Sequence, residues 1–470
     1  MRSVRRSSPS SSDGRGRSAR EPLPAGFGTI WSTVAIDLVG FGIVLPILPQ
    51  YAERFGATPF TTGLIFASFS VAQLVFAPVM GRLSDRIGRK PVLILSLFGT
   101  AIGSLLTGLA AGIPLLFIGR VIDGASGASV SVAQAAAADL APPHQRARLM
   151  GLLGAAFGVG FVAGPAIGAL GALGGAHVPF FLAAAISFVN AVIAIRRLPE
   201  TLPSAPGHDG GHAAATDAER IAEAPGLDGP GLVEPAHVSF HAEHADQAED
   251  ADQARRAGDA AHGPAAGVPA GTPGGPGAAD PAAIIRLIVV AFVAMVAFSG
   301  FESTFSLLGE RRFGFQLATT GAVFTAIGIA LVLVQVRLVG RVADRLGEIG
   351  TIRAGLVANA IGLAVLSVDG GWATLVPALG LLVVGQGLLT PTLSAAVAGL
   401  AGRERGQWLG WQQSAGGLAR VGGPVLAGAL FQFAGTGIPY VVAAGLVLVA
   451  LVLVPGHTSP AARPTSFATK

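Results

Sequence analysis

Three acidic residues lie deep inside long apolar stretches: Asp37, Asp123 and Glu302. A carboxylate at that depth costs several kcal/mol unless it is paired or protonated, so each is a candidate for carrying a proton. The chemistry needs an acid whose protonation can be tuned. Burial favours the neutral form, and a nearby cation favours the charged one. Arg120 precedes Asp123 by three residues, so on one helix the two share a face. Arg420 is the other deep cation. Phe41, Phe298, Phe301 and Phe305, together with Gln386, would wall a greasy pocket for a small amphiphilic substrate. No nucleophile–base pair, metal-ligand set or phosphate loop accompanies them. The residues therefore point neither to an enzyme nor to a cofactor or bound metal.

Elements long enough to hold charges at such depth must span a bilayer. The chain is 51% hydrophobic and 12% charged, with mean hydropathy +0.63. Apolar runs of about 20 residues recur, each sufficient for one membrane helix. They are continuous rather than alternating, which excludes a lipid-facing β-barrel. Twelve spans are expected, near 28–49, 60–80, 91–110, 115–138, 149–171, 178–197, 283–307, 318–339, 351–368, 372–399, 407–432 and 437–455. The fold class is thus an all-α polytopic membrane protein. With no cysteine, disulfide and thiolate chemistry are absent.

Basic residues gather in alternate connections: Arg82 to Lys90, Arg146 with Arg148, Arg196 with Arg197, Arg341 to Arg353, and Arg403 with Arg405. The positive-inside rule places these loops and both termini in the cytoplasm of a multi-pass plasma (inner) membrane protein. Residues 1–27 form a basic cytoplasmic tail and 457–470 a second tail. Between the six-helix halves, 28–198 and 283–456, lies a segment at 199–282. From Ser204 to Ala282 it carries thirteen acidic and three basic residues, and six of the nine histidines. It has no sustained apolar period, so it reads as a disordered linker. Histidine pairs such as His237 and His241 admit a cation. Compositional bias is the simpler reading.

The halves are copies. Gly81-Arg82-Leu83-Ser84-Asp85-Arg86-Ile87-Gly88-Arg89-Lys90 returns as Gly340-Arg341-Val342-Ala343-Asp344-Arg345-Leu346-Gly347 at an offset of 259. Gly164-Pro165 returns as Gly423-Pro424 at the same offset. Duplicated membrane halves are a common plan of secondary transporters. Asp37 and Glu302 then fall in the first helix of each half, and first and fourth helices would line a central cavity.

On these residues the chain resembles the major facilitator superfamily, and within it the twelve-span drug:proton antiporters that include tetracycline efflux proteins. Gly81 to Lys90 matches the family signature between spans two and three. Asp37-Leu38-Val39-Gly40-Phe41-Gly42, with Pro46 and Pro49, matches that of span one. Gly119-Arg120 with Gly124 and Gly127 resembles the span-four motif. Gly154, Gly158, Gly164-Pro165 and Gly168 resemble the antiporter motif of span five. The resemblance implies proton-coupled efflux by a monomer that rocks between two open states, with no nucleic-acid partner. It implies that Asp85 faces the N-terminus of span eleven and that Arg89 pairs with Asp139. These contacts would form a cytoplasmic latch of Gly81, Asp85, Arg86, Gly88, Arg89, Lys90, Asp139 and Asp344. Its glycines Gly81 and Gly88 would supply a tight turn. Gly103 stands where tetracycline exporters carry an acid, so tetracycline itself is not the expected substrate. A proton-coupled uptake symporter, or a receptor on the same fold, are the competing readings.

Overall fold

The computed structural model describes residues 22–127, 129–142, 145–202 and 280–456. The acidic segment, most of both tails and the linker histidines lie outside the described residues. Thirteen α-helices order the described chain. The first half contains α1 (Phe27–Glu53), α2 (Pro59–Ile87), α3 (Arg89–Gly108), α4 (Ile113–Ser126), α5 (Ser129–Leu140), α6 (Arg146–Ala172) and α7 (Val178–Arg197). The second contains α8 (Pro281–Phe313), α9 (Leu317–Arg337), α10 (Val339–Ser367), α11 (Trp372–Leu400), α12 (Arg405–Phe433) and α13 (Ile438–Leu453). Counting α4 and α5 as one span, these are twelve transmembrane helices in two duplicated halves. Ten candidate spans meet both length and hydropathy requirements. Helix α13 is apolar but shorter. Helix α12 carries Arg405, Gln407, Gln412, Gln413, Ser414 and Arg420 along its length.

One boundary differs from the sequence expectation. Helix α2 does not stop near residue 80 but runs on through Ile87, whereas α10 runs from Val339 across a kink at Gly347, so its membrane part begins close to the expected 351. Arg and Asp tolerate a helix beyond the bilayer as well as a loop, so hydropathy marked the end of the apolar run and not of the helix. Gly81 is accordingly mid-helix, and only Gly88, with φ +105°, turns the chain. Span four is described in two pieces on either side of Ala128, α4 ending at Ser126 and α5 beginning at Ser129. Gln73 of α2 donates its amide to the Gly127 carbonyl at 2.9 Å.

The duplicated glycines explain how the halves join. Within the first half, a Cβ on Gly42 of α1 would lie 2.4 Å from the Gly160 carbonyl and 3.2 Å from the Gly164 Cα of α6. In the second half, one on Gly300 of α8 would lie 3.0 Å from the Ala427 Cβ and 3.3 Å from the Gly423 carbonyl of α12. Across the halves the pattern is reciprocal. Gly63 of α2 sits on Pro424 of α12, and Gly321 of α9 sits on Pro165 of α6. Each Gly-Pro helix therefore packs one face on its own half and the other on its partner, backbone against backbone.

These cross-contacts lie toward the end of the bundle that carries Glu53 and Arg311. There Gln50 donates to the Ser306 carbonyl (3.2 Å), the Phe315 carbonyl (3.1 Å) and Thr320 Oγ1 (3.1 Å). Arg311 bridges to Glu53 at 3.0 Å. The opposite end carries Arg89, and there Gly81, Gly151, Gly154 and Gly410 have open space where a Cβ would be and Gln413 of α12 is exposed.

Candidate functional site

Asp37 is 8% exposed in the middle of α1, and its only described donor is Ser129 Oγ, at 2.5 Å from Oδ2. Its other oxygen, Oδ1, is buried without a partner. Ser129 is the first residue of α5.

Asp123 and Arg120 form a neighbouring pair at 2.7 Å on α4. The Arg120 guanidinium also stacks over Phe69 of α2, 4.5 Å from the ring centroid, and Phe69 contacts Phe41 of α1 at 5.5 Å. Arg120 therefore neutralises Asp123 directly, while Asp37 feels it only through Asp123, with which it interacts electrostatically. Gly103 shapes this pair. A Cβ there would lie 2.7 Å from the Asp123 Cβ and 2.7 Å from the Gly119 carbonyl. Any larger residue at position 103 displaces the acid.

Glu302 lines a small pocket with Phe298, Phe301 and Phe324, Phe161 from the first half, and Gln386. Gln386 is 8% exposed and its Oε1 has no partner. Arg420 of α12 interacts electrostatically with Glu302, and one turn away Ser299 donates to the Ala419 carbonyl at 3.2 Å. The cavity thus offers aromatic walls, one acid and one amide with spare hydrogen-bonding capacity. Two expected residues are not part of it. Phe305 is fully buried in the core, edge-on to Phe324 at 5.6 Å, and Phe41 packs on Phe69. Sequence spacing put Phe298, Phe301 and Phe305 on one stripe of α8, but Phe324 of α9 covers its far end.

At the end opposite Glu53, Arg89 gathers the charged motif. Its Nη1 donates to Asp85 at 2.5 Å and to Ser84 at 2.7 Å, and its Nε to Asp139 at 3.0 Å. Asp85 is engaged by Arg89, its side chain 60% exposed, and does not cap α12. Arg86 and Asp344 are exposed. In the second copy Glu348 stands where Arg89 stands in the first, so Asp344 has no basic residue four positions on. Of the span-five glycines, Gly164 and Gly168 meet α1, Gly158 meets Val332 of α9 at 3.3 Å, and Gly154 is open. Ser129, Gln50 and Glu200 were missed by sequence reasoning. A serine in a small-residue stretch, a glutamine at a span end and an acid just beyond one carry no distinguishing pattern.

A family model described as Major Facilitator Superfamily matches residues 30–338 and again 287–469. Multidrug resistance protein 2 of Bacillus subtilis (strain 168) is 27% identical over 426 residues, 89% of this chain and 93% of that protein. Tetracycline resistance protein, class B, of Escherichia coli is 37% identical over 169 residues, 35% of this chain and 42% of that one. The crystal structure of the human organic anion transporter MFSD10 (TETRAN) superposes with a TM-score of 0.59 at 26% identity, covering 92% of this chain and 99% of that chain. The repeated match, the paired halves and the central cavity agree: the chain belongs to the Major Facilitator Superfamily of multi-pass membrane transporters, which are not enzymes.

Proposed function

We propose that the chain is a proton-coupled exporter of small amphiphilic molecules, acting as a monomer in the cell membrane by rocker-switch alternating access. One observation carries this reading. Each half places a carboxyl group in its first helix, Asp37 facing Ser129 and Glu302 in an aromatic pocket. Two acids at such depth are expensive unless a proton comes and goes. Drug resistance in the names of two relatives supports export as the direction. The basic residues Arg82, Arg86, Lys90, Arg341 and Arg345 surround the Arg89 end, which supports a cytoplasmic placement for that end and for both termini. The structure would then be the inward-open state, with the outer end shut by Gln50, Glu53 and Arg311. Residues 199–282 would join the halves on the cytoplasmic side.

The test is dye accumulation in an efflux-deficient host expressing the chain. Lower accumulation that recovers when the proton gradient is dissipated is expected. Higher accumulation would establish uptake instead. Insensitivity to the gradient would remove proton coupling.

The latch yields a graded prediction. In the inward-open state Asp85 is held by Arg89 and exposed, ready to meet α12 when the inner end closes. Asp85→Asn weakens a charge–dipole contact made only in the closed state, and is expected to slow transport about threefold to tenfold at normal membrane abundance. Asp344→Asn, with Glu348 in place of the arginine, is expected to be milder. Transport rates normalised to protein level decide it, and equal effects would remove the asymmetry between the copies.

A further inference from the structure

Glu200 stands three residues beyond α7 and outside the membrane spans. Its Oε1 accepts the backbone N–H of Arg89 at 2.8 Å, and its Oε2 that of Lys90 at 3.1 Å. The same Oε1 accepts Thr201 N–H at 2.9 Å and Leu202 N–H at 3.0 Å. One carboxylate therefore caps the first turn of α3 and closes the turn that leads out of the first half. Burial alone would raise its pKa, but the backbone donors from Leu202, Arg89, Lys90 and Thr201 outweigh that and hold it below the usual carboxylate range.

Gly88 makes room for this contact. Its φ of +105° suits glycine, and a Cβ would lie 2.4 Å from Glu200 Oε2. The turn that Glu200 caps begins with Arg89, whose guanidinium holds Asp85, Ser84 and Asp139. The second half serves as an internal control. Gly347 also has positive φ, +69°, yet among the described residues nothing lies within 4 Å of its Cβ position. Just past α13 the described chain reads Pro455-Gly456, with no carboxylate, and Arg353 bonds the Pro455 carbonyl at 3.2 Å. The carboxylate clamp belongs to the copy that carries the Arg89 cluster.

We infer that Glu200 is the positioning residue of the latch: it fixes the first turn of α3 so that Arg89 sits between Asp85 and Asp139, and it ties the exit from the first half to that turn. The inference rests on the latch reading given above. Because the clamp is set by a carboxylate of depressed pKa, its contribution is present above the ordinary carboxylate pKa. It is lost only as pH falls through the lower folded value. Between pH 6 and 8 it is constant.

The chain has no cysteine, so Gln413→Cys on the exposed inner part of α12 gives a single labelling site. Its reaction with an impermeant maleimide, applied from the cytoplasmic side of membrane vesicles, reports the inward-open fraction. Glu200→Gln is expected to raise that fraction and to lower the maximal transport rate about threefold to tenfold, as for loss of a helix cap, with KM little changed. Glu200→Asp should recover part of the rate and serves alone if the glutamine variant is not produced. The pH profile between 6 and 8 should keep its shape. Wild-type labelling and rate in Glu200→Gln would overturn the assignment. Asp85→Asn measured in parallel separates the failures. If it slows transport while Glu200→Gln does not, only the role of Glu200 falls. If both are silent, the latch reading falls with it.

Discussion

Asp37→Asn and Glu302→Gln are each expected to abolish accumulation driven by a pH gradient while leaving downhill substrate exchange intact. Both substitutions keep the shape of the protonated acid and remove its ability to release a proton. Asp37 is reached by Ser129 through one oxygen only, and its Oδ1 is buried without a partner. A permanently neutral amide there costs the fold little, because no described cation is bonded to it. The driving force at stake is large. One pH unit supplies about 1.4 kcal/mol per proton, which is about tenfold accumulation. A variant that binds and rocks but cannot carry the proton should fall from that ratio to unity. Transport by purified protein in liposomes with imposed gradients reads both quantities. Full gradient-driven accumulation in both variants would sink proton coupling through these residues. Loss of exchange together with accumulation would mean that the acids bind substrate instead. Glu302 is the more exposed to that outcome, since it shares a cavity with Phe298, Phe301 and Gln386.

The sequence carried the plan of the molecule because its signals were local or repeated. Apolar runs marked the spans, an offset of 259 marked the copies, and three acids in apolar surroundings marked the positions to watch. What it did not carry depends on neighbours distant in the chain. Gly124-Ala125-Ser126-Gly127 reads as small-residue packing. That Gln73 reaches across from α2 to the Gly127 carbonyl is not written in those four residues. Phe298 and Phe305 are alike in spacing, yet one lines a cavity and the other lies under Phe324. Asp85 was expected against α12. Here it is held by Arg89 instead, four residues on in the chain. Glu200 could be found only once the chain had brought it back to Arg89, 111 residues away.

Gly63→Val is expected to shift the protein out of the inward-open state and to reduce transport at least tenfold at normal abundance. A Cβ at Gly63 would lie 2.3 Å from the Pro424 carbonyl oxygen and 2.9 Å from its carbon, and backbone cannot swing aside as a side chain can. Overpacking of this kind costs about 1–3 kcal/mol. On the alternating-access reading the cost falls on the closed outer end alone, because the opposite state would part α2 from α12 at that point. A penalty borne by one state moves the equilibrium by about 5–150-fold, which is enough to trap a carrier that must visit both. The reciprocal site orders the effects. At Gly321 the closest approaches are 2.9 Å to the Ala169 Cβ and 3.0 Å to the Pro165 carbonyl, so Gly321→Val should act in the same direction and less strongly. Labelling of a cysteine at Gln413 should drop in both variants, more in the first. Stronger loss at Gly321 would contradict this ordering of the clearances. Unchanged labelling with lost transport would place the damage in folding or substrate passage. The rocking of two copies about crossed Gly-Pro helices stands or falls with the drop in labelling, because only a state-dependent contact can change accessibility at the opposite end of the bundle.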